Sequence, residues 1–255
     1  MTPAPALKVE GVTKAFAGLK ALSDVSMSVE PGQVVGLIGP NGSGKTTLLN
    51  CVSGLYSHDS GSITVGGTST DGLRSDQIAA LGLRRTFQHS LVVLDQSVTE
   101  NVMLGAHATI RGNLLSAAVG FGPMYRRDRR ARERAREVLA WLGIENIADV
   151  RADRIGGPLL KLVEMARALI ADPQVLLLDE VAAGLNSAEK ERISDRIAAL
   201  RDDHGMAVVL VEHDLDFVMG LAERVVVLDS GSVIGDGTPA QVQQTPEVIR
   251  AYLGA

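Results

Sequence analysis

A single cysteine, Cys51, leaves this chain of 255 residues without an internal disulfide, which fits a reducing compartment. Aromatic residues make up only 3%, so the interior has to be built from aliphatic side chains. No long apolar run occurs. The longest stretches without a charge, 31–44 and 112–125, are 14 residues each, short of the roughly 20 that a spanning helix needs. The start, MTPAPALKVEG, lacks the basic residues followed by an apolar stretch that mark a signal peptide. Positive charge is not in excess either: 25 Lys+Arg stand against 30 Asp+Glu, a net −5, which argues against a nucleic-acid partner. What is present is 45% hydrophobic and 22% charged residues, a globular composition with ample length to bury a core and no sign of disorder.

The first third reads as short strands. Val25, Met27 and Val29 alternate with Asp24, Ser26, Ser28 and Glu30, the period of a half-buried strand. Residues 34–38 form a continuous apolar run, as in a strand buried on both faces. A glycine-rich turn and a helix over 45–53 follow, then a strand over 62–65. From about 98 to 167 the pattern is helical. Residues 126–137 hold seven Arg and three acidic residues, which favours a solvated helix face over a binding patch. The apolar segment 112–125 carries three glycines and a proline and is compatible with a loop, a core segment or a docking surface. The last third alternates strand (175–178), helix (188–201), strand (207–211), helix (214–222) and strand (225–228). Such alternation implies a parallel sheet covered by helices.

Gly39-Pro40-Asn41-Gly42-Ser43-Gly44-Lys45-Thr46, followed by Thr47, fits G-x-x-x-x-G-K-[ST] and lies between a buried strand and a helix. Its glycines let successive N–H groups face phosphate oxygens, the helix adds its positive end, Lys45 supplies charge to the β- and γ-phosphates, and the Thr46 hydroxyl ligates Mg²⁺. Leu176-Leu177-Leu178-Asp179-Glu180 places a carboxylate at the C-terminal end of a strand, the edge where parallel sheets bind ligands. Asp179 there suits Mg²⁺, and Glu180 suits the orientation or deprotonation of an attacking water. The two together specify a P-loop NTPase.

Over essentially its whole length the chain resembles the ATP-binding subunits of ABC transporters. Arg85-Thr86-Phe87-Gln88 resembles the Q-loop, which implies that Gln88 senses Mg²⁺ and the attacking water. Ala183-Gly184-Leu185-Asn186 resembles the D-loop at the dimer interface, and Glu212-His213-Asp214 the switch, with His213 on the γ-phosphate. Phe16 lies where the family stacks an aromatic on adenine, the role favoured here over a place in the core. Thr86-Phe87-Gln88, the run 98–102, Ala182 to Asn186, Val218-Met219, Gly237-Thr238-Pro239 and the tail 246–254 resemble the LivG-like ATPases of branched-chain amino-acid importers.

The chain departs from this family at the signature, usually Leu-Ser-Gly-Gly-Gln. Counting back from Ala166-Arg167-Ala168-Leu169 places Ile155-Gly156-Gly157-Pro158-Leu159 there. Gly156 has no hydroxyl and Pro158 no N–H, so at least two donors to the partner's phosphate are missing, while the helix start itself stays sound. Lys161, Glu164 and Arg167 form one polar stripe at i, i+3 and i+6 on that helix. Val181 stands where proline usually follows the Asp-Glu pair.

The resemblance implies an α/β fold: a RecA-like P-loop core, N-terminal antiparallel strands and an inserted helical subdomain. A single ABC ATPase domain is expected over 7–255, with a nucleotide-binding core over 7–90 and 166–240, a helical subdomain over 91–165 and a tail over 241–255. ATP is expected on Phe16 and residues 39–47, and Mg²⁺ on Thr46, Gln88 and Asp179. Catalysis is expected from Lys45, Gln88, Glu180 and His213, and the signature contact with the partner's ATP from Gly156 and Gly157. The partners implied are a second ATPase subunit in a heterodimer with one weakened site, two membrane permease subunits and, indirectly, a substrate-binding protein. The place implied is the cytoplasmic face of the inner membrane, as a peripheral subunit, with no nucleic acid. Other readings are an exporter, such as a lipopolysaccharide-extraction ATPase, and a cassette protein outside transport. A DNA- or ribosome-acting cassette usually has a long coiled-coil insertion or two cassettes, and here there is one phosphate loop and no long heptad run. A non-hydrolysing regulatory cassette is opposed by Glu180 and His213.

Overall fold

The computed structural model describes residues 4–86, 92–106 and 121–253, with the backbone alone at 121–127 and 253. The chain divides into two compact units, Met1–Arg85 with Gln174–Ala255, and Thr86–Pro173. In chain order the helices described are α1 (Lys45–Val52), α2 (Ser75–Ala80), α3 (Val98–Leu104), α4 (Phe121–Trp141), α5 (Gly157–Leu169), α6 (Ser187–His204), α7 (Leu215–Leu221), α8 (Pro239–Val242) and α9 (Pro246–Leu253).

The first unit contains two sheets. One is antiparallel, with β1 (Leu7–Phe16), β2 (Leu19–Val29), β4 (Ser60–Val65) and β5 (Thr68–Ser69) in the order β2-β1-β4-β5. The other has β3 (Val34–Ile38), β6 (Leu83–Arg85), β7 (Val175–Asp179), β8 (Ala207–Val211), β9 (Arg224–Asp229) and β10 (Ser232–Gly237) in the order β10-β9-β3-β8-β7-β6. All its neighbours are parallel except β10 against β9. Every residue of β3, β7 and β8 is buried, as their unbroken apolar runs require of strands covered on both faces. Between the sheets, Val9 and Val25 share one apolar cluster with Leu37, Leu177, Val209, Leu48 and Leu49. Each such side chain contributes about 1.5–3 kcal/mol by leaving water. The interior is aliphatic: the largest fully buried side chains are Leu, Ile and Met, whereas Phe16 and Tyr56 are exposed.

The second unit is helical. A capping box opens α3, in which the Ser97 hydroxyl accepts from Glu100 N–H while Glu100 accepts from Ser97; these bonds hold the Glu100 carboxyl below its ordinary range. Val98, Val102, Ala135, Leu139, Val163 and Leu169 form its aliphatic interior. The fully buried Asn101 braces the chain before α3 through Val93 N–H (2.7 Å) and Val93 O (2.9 Å). The stripe of Lys161, Glu164 and Arg167 is no solvent face. Glu164 is buried, and burial lowers the Arg167 pKa, partly offset by Glu164, because α3 and α4 both pack against α5. The arginines of α4 from Arg129 onward are exposed or half-buried, with Arg129 beside Glu133 (3.5 Å), Arg134 beside Glu137 (3.0 Å) and Arg136 beside Asp149 (2.6 Å). Exposure suits a solvated face and a binding patch alike, and the side chains of Arg126 and Arg127 lie outside the described residues. Of the segment 112–125, residues 112–120 lie outside the described residues, and α4 begins at Phe121. Among the described residues no helix is long and apolar enough to cross a membrane.

Candidate nucleotide site

β3, β8 and β7 are consecutive neighbours, with Gly36 beside Leu210 and Asp179 beside Val211. Their C-terminal ends therefore open along one edge, where parallel sheets hold ligands. The loop 39–44 leaves β3 there, Asp179 and Glu180 end β7, and Glu212, His213 and Asp214 follow β8.

The loop is glycine-dependent at its first residue. Gly39 has φ 151°, and a Cβ there would lie 2.0 Å from Leu228 O. Lys45 folds back over the loop, its Nζ donating to Gly39 O (2.7 Å) and Pro40 O (3.0 Å). Burial lowers the Lys45 pKa, and the nearby Glu180 and Asp179 carboxylates pull it back up. Ser43 Oγ is buried and finds no hydrogen-bond partner among the described residues. Gly44 caps α1 without a side chain, so the first-turn N–H groups have no side-chain cap. Asn41, Gly42 and Thr46 are exposed, and Pro40, Gly44 and Thr47 are half-buried. A buried cation, a stranded hydroxyl and a helix start together suit a phosphate.

Glu180 sits in left-handed backbone at φ 54°, with its N–H donated to Val211 O (2.9 Å). For a residue with a Cβ this conformation costs about 1–2 kcal/mol. His213 Nε2 lies 2.8 Å from Glu180 Oε1. The buried Glu212 accepts from Ala182 N–H (2.6 Å), which ties the turn after Glu180 to the end of β8, with Val181 buried between them. Asp214 accepts from Phe217 N–H (3.1 Å) to cap α7 and pairs with Lys190; that ammonium chiefly, and then the cap, hold its carboxyl low. Asn186 caps α6 by accepting from Glu189 N–H (3.0 Å).

Phe16 ends β1 at a two-residue turn, Ala17 (φ 47°) and Gly18 (φ 88°), both left-handed as tight hairpins demand. It is exposed, meets Tyr56 edge-on (centroids 5.3 Å apart), and has Lys14 Nζ 5.3 Å from its ring centre. Among the described residues no three His, Cys, Asp or Glu side chains gather to hold a metal. A cation beside Asp179 and Thr46 would therefore lean on phosphate and water, which is how Mg²⁺ binds. Gln88 lies outside the described residues.

Gly156 and Gly157 belong to the helical unit. Both are exposed, Gly156 as the N-cap of α5 and Gly157 as its first residue, with Pro158 in the first turn. A Cβ at Gly156 would meet only Pro158 Cδ, at 3.8 Å, so serine fits there sterically.

Sequence reasoning assigned no role to Arg85, Asn50, Lys190 or Tyr252. Arg85 Nη2 is 2.9 Å from Asp179 Oδ2, and its Nη1 donates to Asn50 Oδ1 (2.6 Å). Burial pushes the Tyr252 phenol up to about 12, against a hydrogen bond from the Gly39 backbone. No sequence signal joins positions 39 and 252; for Arg85 the signal is a charge closing a strand just before Thr86-Phe87-Gln88.

A family model described as ABC transporter matches residues 22–183, and one described as branched-chain amino acid ATP-binding cassette transporter matches residues 232–255. The high-affinity branched-chain amino acid transport ATP-binding protein LivG of Escherichia coli (strain K12) is 37% identical over 250 residues, 98% of either chain. BraF of Pseudomonas aeruginosa, of the same description, is 38% identical with the same coverage. Among solved structures, the ADP conformation of an ATP-binding cassette of an ABC transporter matches with a TM-score of 0.84 at 28% identity, over 99% of this chain and 100% of that one. A dimeric, post-hydrolysis cassette bound to ADP and Pi gives 0.79 at 26% identity, over 91% of this chain and 98% of that one.

Proposed function

This chain belongs to the ATP-binding cassettes of ABC transporters, and from that premise we propose that its ATPase activity powers import of branched-chain or related amino acids. The observation that carries hydrolysis is the Glu180–His213 contact of 2.8 Å at the ends of adjacent strands, beside the Lys45 loop. The solute class is supported by the likeness to LivG and BraF over 98% of each chain.

Phosphoryl transfer to water needs a positioned nucleophile, a base and stabilised phosphate charge. Lys45 and the N–H groups of 39–47 hold the β- and γ-phosphates, and Ser43 Oγ gains a partner there. Phe16 stacks on adenine. Thr46, Asp179 and Gln88 hold Mg²⁺, which when bound neutralises phosphate oxygens. Glu180 takes a proton from water as the water oxygen bonds to the γ-phosphorus. The bond from that phosphorus to the bridging oxygen breaks, and ADP leaves with the electron pair. His213 fixes the Glu180 carboxylate through Nε2, and its switch position places it beside the γ-phosphate.

Two cassettes close over ATP and reopen after hydrolysis, the γ-phosphate favouring the closed pair. In that pair Gly156 and Gly157 face the partner's nucleotide. Only backbone and the dipole of α5 remain there, because Gly156 has no hydroxyl and Pro158 no N–H. The unit of function is therefore a heterodimer with one competent and one weakened site. It is seated on two permease subunits at the cytoplasmic face of the inner membrane and fed by a substrate-binding protein.

ATP hydrolysis by this chain alone and with the ATPase of its genomic neighbourhood tests the reading, as does leucine uptake into vesicles holding the whole assembly. Near-inactivity alone, and turnover by the pair that falls about 10²–10⁴-fold with Glu180→Gln, is expected. Full turnover by the chain alone refutes the asymmetry, and an assembly that hydrolyses ATP yet ignores every branched-chain amino acid refutes the substrate.

A further inference from the structure

One buried charge, Arg85, has no part in the chemistry above. Arg85 and Asp179 lie 2.9 Å apart with side chains only 5% and 4% exposed. Two charges out of water persist only where further hydrogen bonds satisfy them. The guanidinium of Arg85 forks: one arm reaches Asp179, the other reaches Asn50 Oδ1 at 2.6 Å and Ser53 Oγ at 3.4 Å. Asn50 lies in α1 and Ser53 caps its end. The first turn of that same helix carries Lys45 and Thr46. One planar, permanently charged group thus ties the carboxylate at the end of β7 to the helix that follows the phosphate loop. Its backbone is fixed as well, since β6 runs parallel to β7 with Arg85 beside Leu177. Arg85 is also the last residue of its unit, and Thr86 opens the next.

We propose that Arg85 is a positioning residue for the metal carboxylate. It holds Asp179 in register with Thr46, and so sets the affinity of the site for a divalent cation. The inference rests on the reading of Asp179 and Thr46 as the groups that hold Mg²⁺. It also assigns a sign. A guanidinium that merely competed with the cation for the carboxylate would weaken metal binding, and its loss would strengthen it. One that orients the carboxylate does the reverse, and loss of such an outer partner costs about 10- to 100-fold in metal affinity.

The test reads Mn²⁺ binding in the presence of ADP by electron paramagnetic resonance, and binding of a fluorescent ATP analogue without metal, on the full chain. In Arg85→Gln the half-saturating Mn²⁺ should rise about 10- to 100-fold, with metal-free nucleotide binding within about twofold, because the phosphate contacts made by Lys45 remain. Arg85→Lys should fall between, because a single ammonium cannot serve both Asp179 and Asn50. If Arg85→Gln fails to fold, Asn50→Ser decides: it keeps the ion pair, removes one anchor, and should raise the half-saturating Mn²⁺ by about 2- to 5-fold. An unchanged or lowered value in the variant that decides overturns the proposal. Asp179→Asn separates the two readings. If it abolishes Mn²⁺ binding while Arg85→Gln leaves it intact, the site reading stands and the role of Arg85 falls. If Asp179→Asn leaves Mn²⁺ binding intact, both fall.

Discussion

Two helix starts in this chain have the same cap residue and opposite chemistry. α1 and α5 are both preceded by glycine, Gly44 and Gly156, and neither has a side-chain cap. α5 is the longer, at 13 residues against 8, so a helix dipole alone would make it no worse an anion site. Around α1, however, stand the buried Lys45, the unpartnered Ser43 Oγ and a loop bent at Gly39. Around the start of α5 the backbone is ordinary, with Gly156 at φ −75° and ψ 163°, and the proline of its first turn removes an N–H. The helix is preserved, and the proposed function assigns the missing hydroxyl and N–H to lost phosphate donors. On the proposed reading, a dipole with donors and a charge makes the stronger phosphate site, and a dipole with fewer donors the weaker one.

The largest expected effect lies on the α1 side. Lys45→Met should weaken ATP binding by about 100-fold or more, since it removes a charge-assisted bond worth roughly 1.5–3 kcal/mol along with the cation's field. Folding should respond in the other direction. Burial lowers the Lys45 pKa, so its charged form is disfavoured in the native state, and a neutral isostere relieves that penalty. Calorimetry of the nucleotide-free variant should show an unfolding temperature no lower than that of the native protein. A fall would mean that Lys45 holds the loop together rather than waiting for phosphate.

A smaller effect is expected at α5, and it runs upward. Gly156→Ser with Pro158→Gly restores two donors at a start where serine fits, its Cβ meeting only Pro158 Cδ in the native chain. If those donors are what the site lacks, hydrolysis by the chain alone should rise by about tenfold per donor. The cap exchange itself is worth only a few tenths of a kcal/mol. A gain in turnover without a matching gain in stability thus separates phosphate binding from helix capping. No gain would count against the proposal that Gly156 and Pro158 weaken the site.

This comparison also explains what the sequence made legible. β3, β7 and β8 were readable because strands buried on both faces are unbroken apolar runs, and their order puts residues 39–45, 179–180 and 212–214 on one edge. The three-residue strand β6 escaped notice because it is too short for any period to register. The burial of Glu164 escaped because spacing places Lys161, Glu164 and Arg167 on one face but says nothing about what covers it. Arg85 with Asp179, and Glu212 with Ala182, are 94 and 30 residues apart, and only the fold brings them together.

The smallest effect is expected where the tail meets the loop. α9 packs on β10 through Val248, whose methyl lies 2.8 Å from where a Gly235 Cβ would stand, and Tyr252 lies on the same helix. Tyr252→Phe should change ATP binding by no more than about 2- to 10-fold, the most that one ordinary hydrogen bond is worth. The pH dependence gives a second check. The phenol is raised from 10.0 to about 12, so the native state favours its neutral form. That contribution is complete below about pH 10 and is lost as pH rises through about 12. The buried Cys51 thiol, raised from 9.0 to about 11 by desolvation, adds a loss of the same sign, but native protein and variant share it. The difference in stability between native protein and Tyr252→Phe should hence be flat to pH 10 and shift against the native protein above it. A difference that stays flat to pH 12 would mean that the Tyr252 phenol is not buried in solution and that α9 does not pack there as the structure shows.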